Sequence, residues 1–306
     1  VSVASDGTQA NWHAYHPSIS SDGRYVAFDS FADNLVPGDT NMDYGGMTDV
    51  FVHDRSTSET TRVSVDSNGT PGNENSDYPG ISADGRYVAF HSTANNYVPN
   101  DTTNSSDIFV HDRVTDETTI VSISSSGEYG NFQSMYPSVS ADGRYVAFES
   151  LATNLVPNQT TNPFLDVYVH DRNTGNTAIA SVTSDGTSGN SDSNRPKISP
   201  DGRYVAFGSN ASNLVSDDTN GEPDAFVYDR ITEETIILSR TNDGAEANSG
   251  SGTVCLSNEG RYAAFISDAS NLVPDDDNGR IDVFVYDRDW MLSTSQLIYL
   301  PFIVKP

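Results

Sequence analysis

Oxygen-bearing side chains recur in one acidic loop of this chain, and together they could hold a hard cation. Asp217-Asp218-Thr219-Asn220-Gly221-Glu222-Pro223-Asp224 is echoed by Asp275-Asp276-Asp277-Asn278-Gly279-Arg280-Ile281-Asp282. Asp218, Asn220 and Asp224 correspond to Asp276, Asn278 and Asp282. Carboxylates and amides spaced around a glycine suit Ca²⁺, which collects oxygen ligands in flexible loops. Asp39, Asn41 and Asp49 form a similar set with a short insertion, and Asp101, Asn104 and Asp107 form another. A further copy has Gln159 where the first Asp belongs. The complete EF-hand pattern with its distant Glu is absent. The same residue types also make turns, so a purely conformational reading stands beside calcium.

Other constellations are less specific. His53, His111 and His170 each precede an Asp-Arg pair, but Tyr228 and Tyr286 take the same place in two further copies. A position that accepts tyrosine fills space, so catalysis is not expected there. His13, His16 and His91 read as isolated histidines without metal-ligand spacing. Asn11, Asn73, Asn131, Asn190 and Asn248 recur at one position. Such amides could bind a sugar or an ion, or bond their own loop backbone. Asp77 and Asp192 lie just ahead of segments read as inner strands and keep a two-carboxylate glycoside hydrolase in view. No Ser-His-Asp elbow and no phosphate-cradling glycine loop is present. Trp12, Tyr15, Tyr44, Phe132 and Phe164 depart from the repeated pattern and could stack on sugar rings or a protein partner.

These residues are positioned by a repeat. Asp-Gly-Arg-Tyr-Val-Ala-Phe runs from Asp22 to Phe28, returns at Asp84, Asp142 and Asp201, and appears altered from Glu259 to Phe265, a period of about 59 residues. Each unit reads as four short strands. Asp-Gly supplies the positive φ of a tight turn, an apolar strand follows, and polar turns separate the rest. Four antiparallel strands in each of five units predict an all-β, five-bladed β-propeller over 1–289, with an apolar tail strand over 290–306. Ser199-Pro200-Asp201-Gly202-Arg203-Tyr204-Val205-Ala206-Phe207 resembles the blade motif of TolB-like, WD-repeat-like propellers. That resemblance covers the whole chain and implies fold rather than activity.

Val1 to Gly7 matches Val63 to Gly69, a fourth strand without its own blade. It is expected to close the fifth blade beside Asp282 to Arg288. The tail Leu297 to Val304 competes for that place. It either pairs within its own chain or adds a strand to a neighbour, giving self-association or a filament.

Acidic residues outnumber basic ones 43 to 16, for a net charge of −27. Such a surface disfavours nucleic acid and anionic lipid. The tail is too short to span a bilayer as a helix, so membrane insertion is not expected. Cys255 is the single cysteine, which excludes an internal disulfide. The Ser/Thr/Asn/Asp-rich, lysine-poor composition points to an extracellular or cell-surface setting. The reading is a non-enzymatic, Ca²⁺-binding structural or assembly subunit, with a lectin-like carbohydrate-binding module as the alternative.

Overall fold

The Asp-Gly turns fold as their chemistry dictates. In the third copy, Asp142 Oδ1 accepts the Ser140 hydroxyl and the Arg144 amide, and Gly143 takes φ 71°. The apolar strand then leaves the turn paired with a strand on each side. The computed structural model describes residues 1–39, 46–101, 105–157 and 164–288.

Five antiparallel sheets follow in chain order. The first contains β1 (Ala14–Ile19), β2 (Tyr25–Ser30), β3 (Asp49–Asp54) and β4 (Glu59–Arg62). The second contains β5 (Ser76–Ile81), β6 (Tyr87–Ser92), β7 (Asp107–Asp112) and β8 (Glu117–Ile120). The third contains β9 (Ser134–Val139), β10 (Tyr145–Ser150), β11 (Asp166–Asp171) and β12 (Asn176–Ile179). The fourth contains β13 (Ser193–Ile198), β14 (Tyr204–Ser209), β15 (Asp224–Asp229) and β16 (Glu234–Ile237). The fifth has three strands among the described residues, β17 (Ser251–Leu256), β18 (Tyr262–Ser267) and β19 (Asp282–Asp287).

Each sheet has a large-residue face and a small-residue face. Ile81, Val88, Phe90, Tyr97 and Phe109 of the second blade pack on Ala27, Val50, Val52 and Val63 of the first. The same arrangement recurs toward the fourth blade and the fifth. Burying such side chains contributes about 1.5–3 kcal/mol each, so the core lies between blades. Within each blade, the Arg of the Asp-Gly-Arg turn forks onto the Asp that ends the third strand. Arg144 meets Asp171 at 2.7 Å and holds its carboxyl down to about 2.

A second joint fastens successive blades. The Tyr25 ring lies between its own blade's Arg24 and Arg113 of the next blade, at 4.7 and 4.5 Å. It also covers the next turn glycine so closely that a Cβ on Gly85 would fall 2.1 Å from Tyr25 Cδ2. Tyr87 repeats this on Gly143 and Arg172, Tyr145 on Gly202 and Arg230, and Tyr204 on Gly260 and Arg288. Each of these arginines also donates to its own turn glycine's carbonyl. The Asp-Arg pairs therefore divide their work. The Asp closes a blade internally, and the Arg clasps the tyrosine of the blade before it.

The series stops at both ends. Among the described residues Tyr262 of the fifth blade stacks only on its own Arg261. Gly23 and Arg55 of the first blade form a socket that holds no tyrosine among the described residues, where a Cβ on Gly23 would meet Arg55 Nη1 at 3.6 Å and Ile19 Cδ1 at 3.9 Å. Backbone bonds step from Ser21 to Ala83, from Ala83 to Ala141 and from Ala141 to Pro200. Among the described residues none of this series joins the fifth blade to the first. Val283 and Val285 on β19 are 68% and 62% exposed, whereas Val50, Val52, Ile108 and Val110 at the same positions are fully buried.

The amino-terminal segment does not close the fifth blade as expected. Ser5 and the Val3 carbonyl bond to Thr60 on β4. Ser67 and Val65 hold Thr118 in the same way, and Ser125 and Ile123 hold Thr177. Val1 to Gly7 therefore plays the part of a linker arriving from a preceding blade. Its local sequence suits that clamp as well as it suits a strand, which is why the motif match misled. The tail over 290–306 lies outside the described residues.

Candidate functional site

The axis is where the blades cease to be alike. Each inner strand carries a bulge that shifts its register against the second strand. The residue at the bulge has positive φ, although none is glycine: His16 45°, Tyr78 53°, Tyr136 51°, Arg195 50° and Thr253 43°. Side-chain-bearing residues held in that region carry local strain. The surrounding bonds maintain it at three junctions. Tyr78 N–H donates to Asp29, Tyr136 N–H to His91 and Arg195 N–H to Glu149. Each acceptor follows the Phe of the preceding blade's repeat, and Gly208 and Ile266 occupy that place in the last two blades.

His16, Tyr78 and Tyr136 of the bulges line a cleft of about 410 Å³ with Ser18, Gly80, Ser138 and Lys197. His16 stacks on Tyr78 with centroids 3.6 Å apart, Tyr136 meets Tyr78 edge-on at 4.6 Å, and Arg195 lies over Tyr136 at 5.5 Å. His16 Nδ1 pairs with Asp29 at 2.7 Å. Burial raises the carboxyls of Asp29 and Glu149 above their ordinary range. Burial also drives His91 down to about 4, against the pull of Asp77, whose Oδ2 is 3.9 Å away. Among the described residues Arg195 and Lys197 form no ion pair, in contrast to the forked arginines of the turns. His16 and His91 thus have carboxylate neighbours after all. Sequence spacing hides them, because the pairs form across strands rather than along the chain. Asp77 lies within β5 instead of ahead of it. Asp192 accepts the Leu165 amide at 2.8 Å and serves the backbone.

The acidic loops differ from one another. In the fourth blade Asp218 and Asp224 are buried, and among the described residues none donates a hydrogen bond to Asp218 Oδ1. Burial and the charges of Asp224 and Glu246 push Asp218 up to about 6. Asn220 donates its amide to Asp224 at 3.2 Å. In the first blade Arg62 occupies the equivalent space, 3.1 Å from Asp39 and 3.0 Å from Asp49. The Arg62 guanidinium thus offsets the charge of both carboxylates in this loop. Asn41 lies outside the described residues. So does Asn104 of the second blade, where Asp101 and Asp107 are buried and Asp107 accepts the Ser122 hydroxyl. In the fifth blade Asn278 donates to Asp282 at 2.9 Å in an exposed loop with Asp276. Among the described residues no three His, Cys, Asp or Glu side chains are gathered to hold a metal.

The recurring asparagines are structural. Asn73 donates to Asn95 and accepts its amide, Asn190 does the same with Ser212, and Asn248 with Ser270. Their amides tie one loop to the next. The histidines before Asp-Arg are buried against threonines, as His170 is against Thr177 at 2.9 Å. Trp12, Tyr15 and Phe132 are exposed, Phe164 is half-buried, and Tyr44 lies outside the described residues.

No protein-family model and no curated protein matches the chain in sequence. Solved structures do match in shape. A putative TolB from Agrobacterium tumefaciens superposes with a TM-score of 0.55 at 16% identity, over 92% of this chain and 79% of that one. The fold is that of a TolB-like β-propeller. An oligogalacturonate lyase in complex with manganese aligns with this TolB-like chain at a TM-score of 0.54 and 13% identity, over 92% of this chain and 67% of its own. A prolyl endopeptidase aligns at 0.53 and 15%, over 90% of this chain and 34% of its own. At such identities the likeness concerns fold alone. No helix among the described residues is long and apolar enough to cross a membrane.

Proposed function

We propose that this chain is a non-enzymatic, extracellular or cell-surface assembly module whose fourth-blade loop takes up Ca²⁺. The observation that carries the reading is the bare face of the fifth blade. Val283 and Val285 stand in water where four homologous faces are dry. An apolar sheet face of this kind is a docking surface for another protein. Asp218, Asp224 and Glu246 supply negative charge that Arg240 offsets only in part, and a hard cation there would stiffen the loop ahead of β15. The tail Leu297 to Val304 adds a second apolar segment available to a neighbour or to the fifth blade itself. Light scattering of the full chain and of a chain ending at Asp289 tests this reading. The full chain is expected to form particles heavier than one polypeptide in Ca²⁺. If it stays a single chain at every concentration, the reading fails.

The axial cleft favours a second reading, a lectin-like module. Rings from His16, Tyr78 and Tyr136 beside Arg195 and Lys197 offer stacking surfaces and cations to an acidic sugar. The lyase among the structural neighbours carries an acidic oligosaccharide in its name, which suggests the ligand to try. Calorimetric titration with oligogalacturonate is expected to show binding that Arg195→Ala weakens about tenfold or more. Equal binding of an uncharged oligosaccharide, or none at all, removes this reading.

A further inference from the structure

We propose that the fifth blade of one copy docks on the first blade of a second copy, with Tyr262 entering the socket formed by Gly23 and Arg55. The inference rests on the assembly reading above and names the partner and the joint. Four joints inside the chain define what each end lacks. A donating blade presents a tyrosine stacked on its own arginine and a face of small apolar residues. A receiving blade presents a turn glycine, an arginine bonded to that glycine's carbonyl, and an exposed apolar residue at the end of its inner strand.

The fifth blade has every donor part. Tyr262 sits over Arg261 and is 42% exposed, and the face beside it carries Val283 and Val285. The first blade has every receiving part. Arg55 Nη1 donates to the Gly23 carbonyl at 2.7 Å, as Arg113 does to Gly85. Ile19 is 58% exposed, whereas Ile81 and Ile198 at the same position are 8% and 7% exposed beneath the blade before them. The linker clamp that a preceding blade would supply is already present, because Ser5 and Val3 hold Thr60. Among the described residues the first blade still lacks a tyrosine and a small-residue face, and the fifth blade offers both.

The occupant is a second copy of this chain because the two surfaces fit each other and neither fits itself. A glycine socket cannot seat a glycine socket, and two Tyr262 plugs have no receiving turn. The contact is therefore head-to-tail. Such heterologous contacts close into a ring or continue as a filament.

Two single substitutions disable opposite ends. Gly23→Ala places a methyl group where the incoming ring must lie, as a Cβ on Gly143 would fall 2.0 Å from Tyr87. Tyr262→Ala removes the plug, and Val285→Lys charges the exposed donor face as an independent variant that asks nothing of the blade's own core. The full chain is expected to assemble in light scattering, and each variant alone to run as one chain of 33.0 kDa. Self-affinity should fall on the order of 100-fold, as at a buried aromatic anchor. An equimolar mixture of Gly23→Ala with Tyr262→Ala, or with Val285→Lys, should form a pair of twice that mass, since each partner keeps one good end. If the single variants assemble like the full chain, this joint is wrong while the assembly reading survives. A mixture that stays at the mass of one chain also overturns the joint. If the unaltered chain never assembles, both fall.

Discussion

Gly143→Ala is expected to destabilise the protein by about 3–5 kcal/mol, whereas Gly23→Ala costs about 1–2 kcal/mol. The two glycines share a turn type, a sequence context and φ 71°, so the backbone penalty is common to both. They differ in what sits above them. A Cβ on Gly143 would lie 2.0 Å from Tyr87 Cδ2, a distance no relaxation of the turn absorbs, so the tyrosine must leave its place between Arg86 and Arg172. Gly23 has no tyrosine above it among the described residues. Denaturant titration at concentrations low enough to keep single chains apart reads the difference directly. Equal costs would mean that the tyrosine joint carries no net stability.

Asp218→Asn is expected to stabilise the calcium-free protein by about 1–3 kcal/mol near pH 7.5, and to abolish the gain from Ca²⁺. Asp218 has its folded-state value pushed up to about 6 from 3.8. Above 6 the folded state carries an ion that burial and its acidic neighbours disfavour, so the cost is fully present there. As pH falls from 6 toward 4 the folded state takes up a proton before the unfolded state does, and the cost disappears. Calcium-free wild type should therefore gain stability relative to the Asn variant's curve when the pH falls from about 7 to about 4.5. Bound Ca²⁺ reverses the sign of the cluster, and an ion at 100 times its Kd adds about 2.7 kcal/mol. Melting curves of both proteins in EDTA and in Ca²⁺, at two pH values, separate these effects. An Asn variant that still responds to Ca²⁺ would place the ion elsewhere.

The fold was legible because its signals are local. Asp-Gly-Arg-Tyr encodes a turn and a strand wherever it occurs, and five occurrences give five sheets. The joints were half legible. Arg113 and Arg172 stand out as members of recurring Asp-Arg pairs, but Tyr25 and Tyr87 read as ordinary strand residues until the next blade's glycine came beneath them. The acidic loops look alike in sequence, and the residue that sets them apart lies far off in the chain. Arg62 on β4 fills the first-blade loop, and Ile237 at its position in the fourth blade leaves Asp218 and Asp224 without that guanidinium. The axial cluster was not legible at all. His16 with Asp29 and Tyr136 with His91 meet across strands or blades, and a positive φ at His16 or Tyr136 has no signature in residue type.

The bulges on the inner strands separate support from identity. At Tyr78, Tyr136 and Arg195 the backbone amide makes the holding bond, and the side chains of Tyr78 and Tyr136 are left to line the cleft, with Arg195 over the Tyr136 ring. A substitution there alters what the axis presents while the backbone bond that holds the bulge remains available. Five such positions on one scaffold, already occupied by five choices drawn from four residue types, let specificity drift blade by blade without refolding the wheel. The centre of the molecule is thus the part most open to evolutionary change, and the turns at its rim are the part most resistant to it.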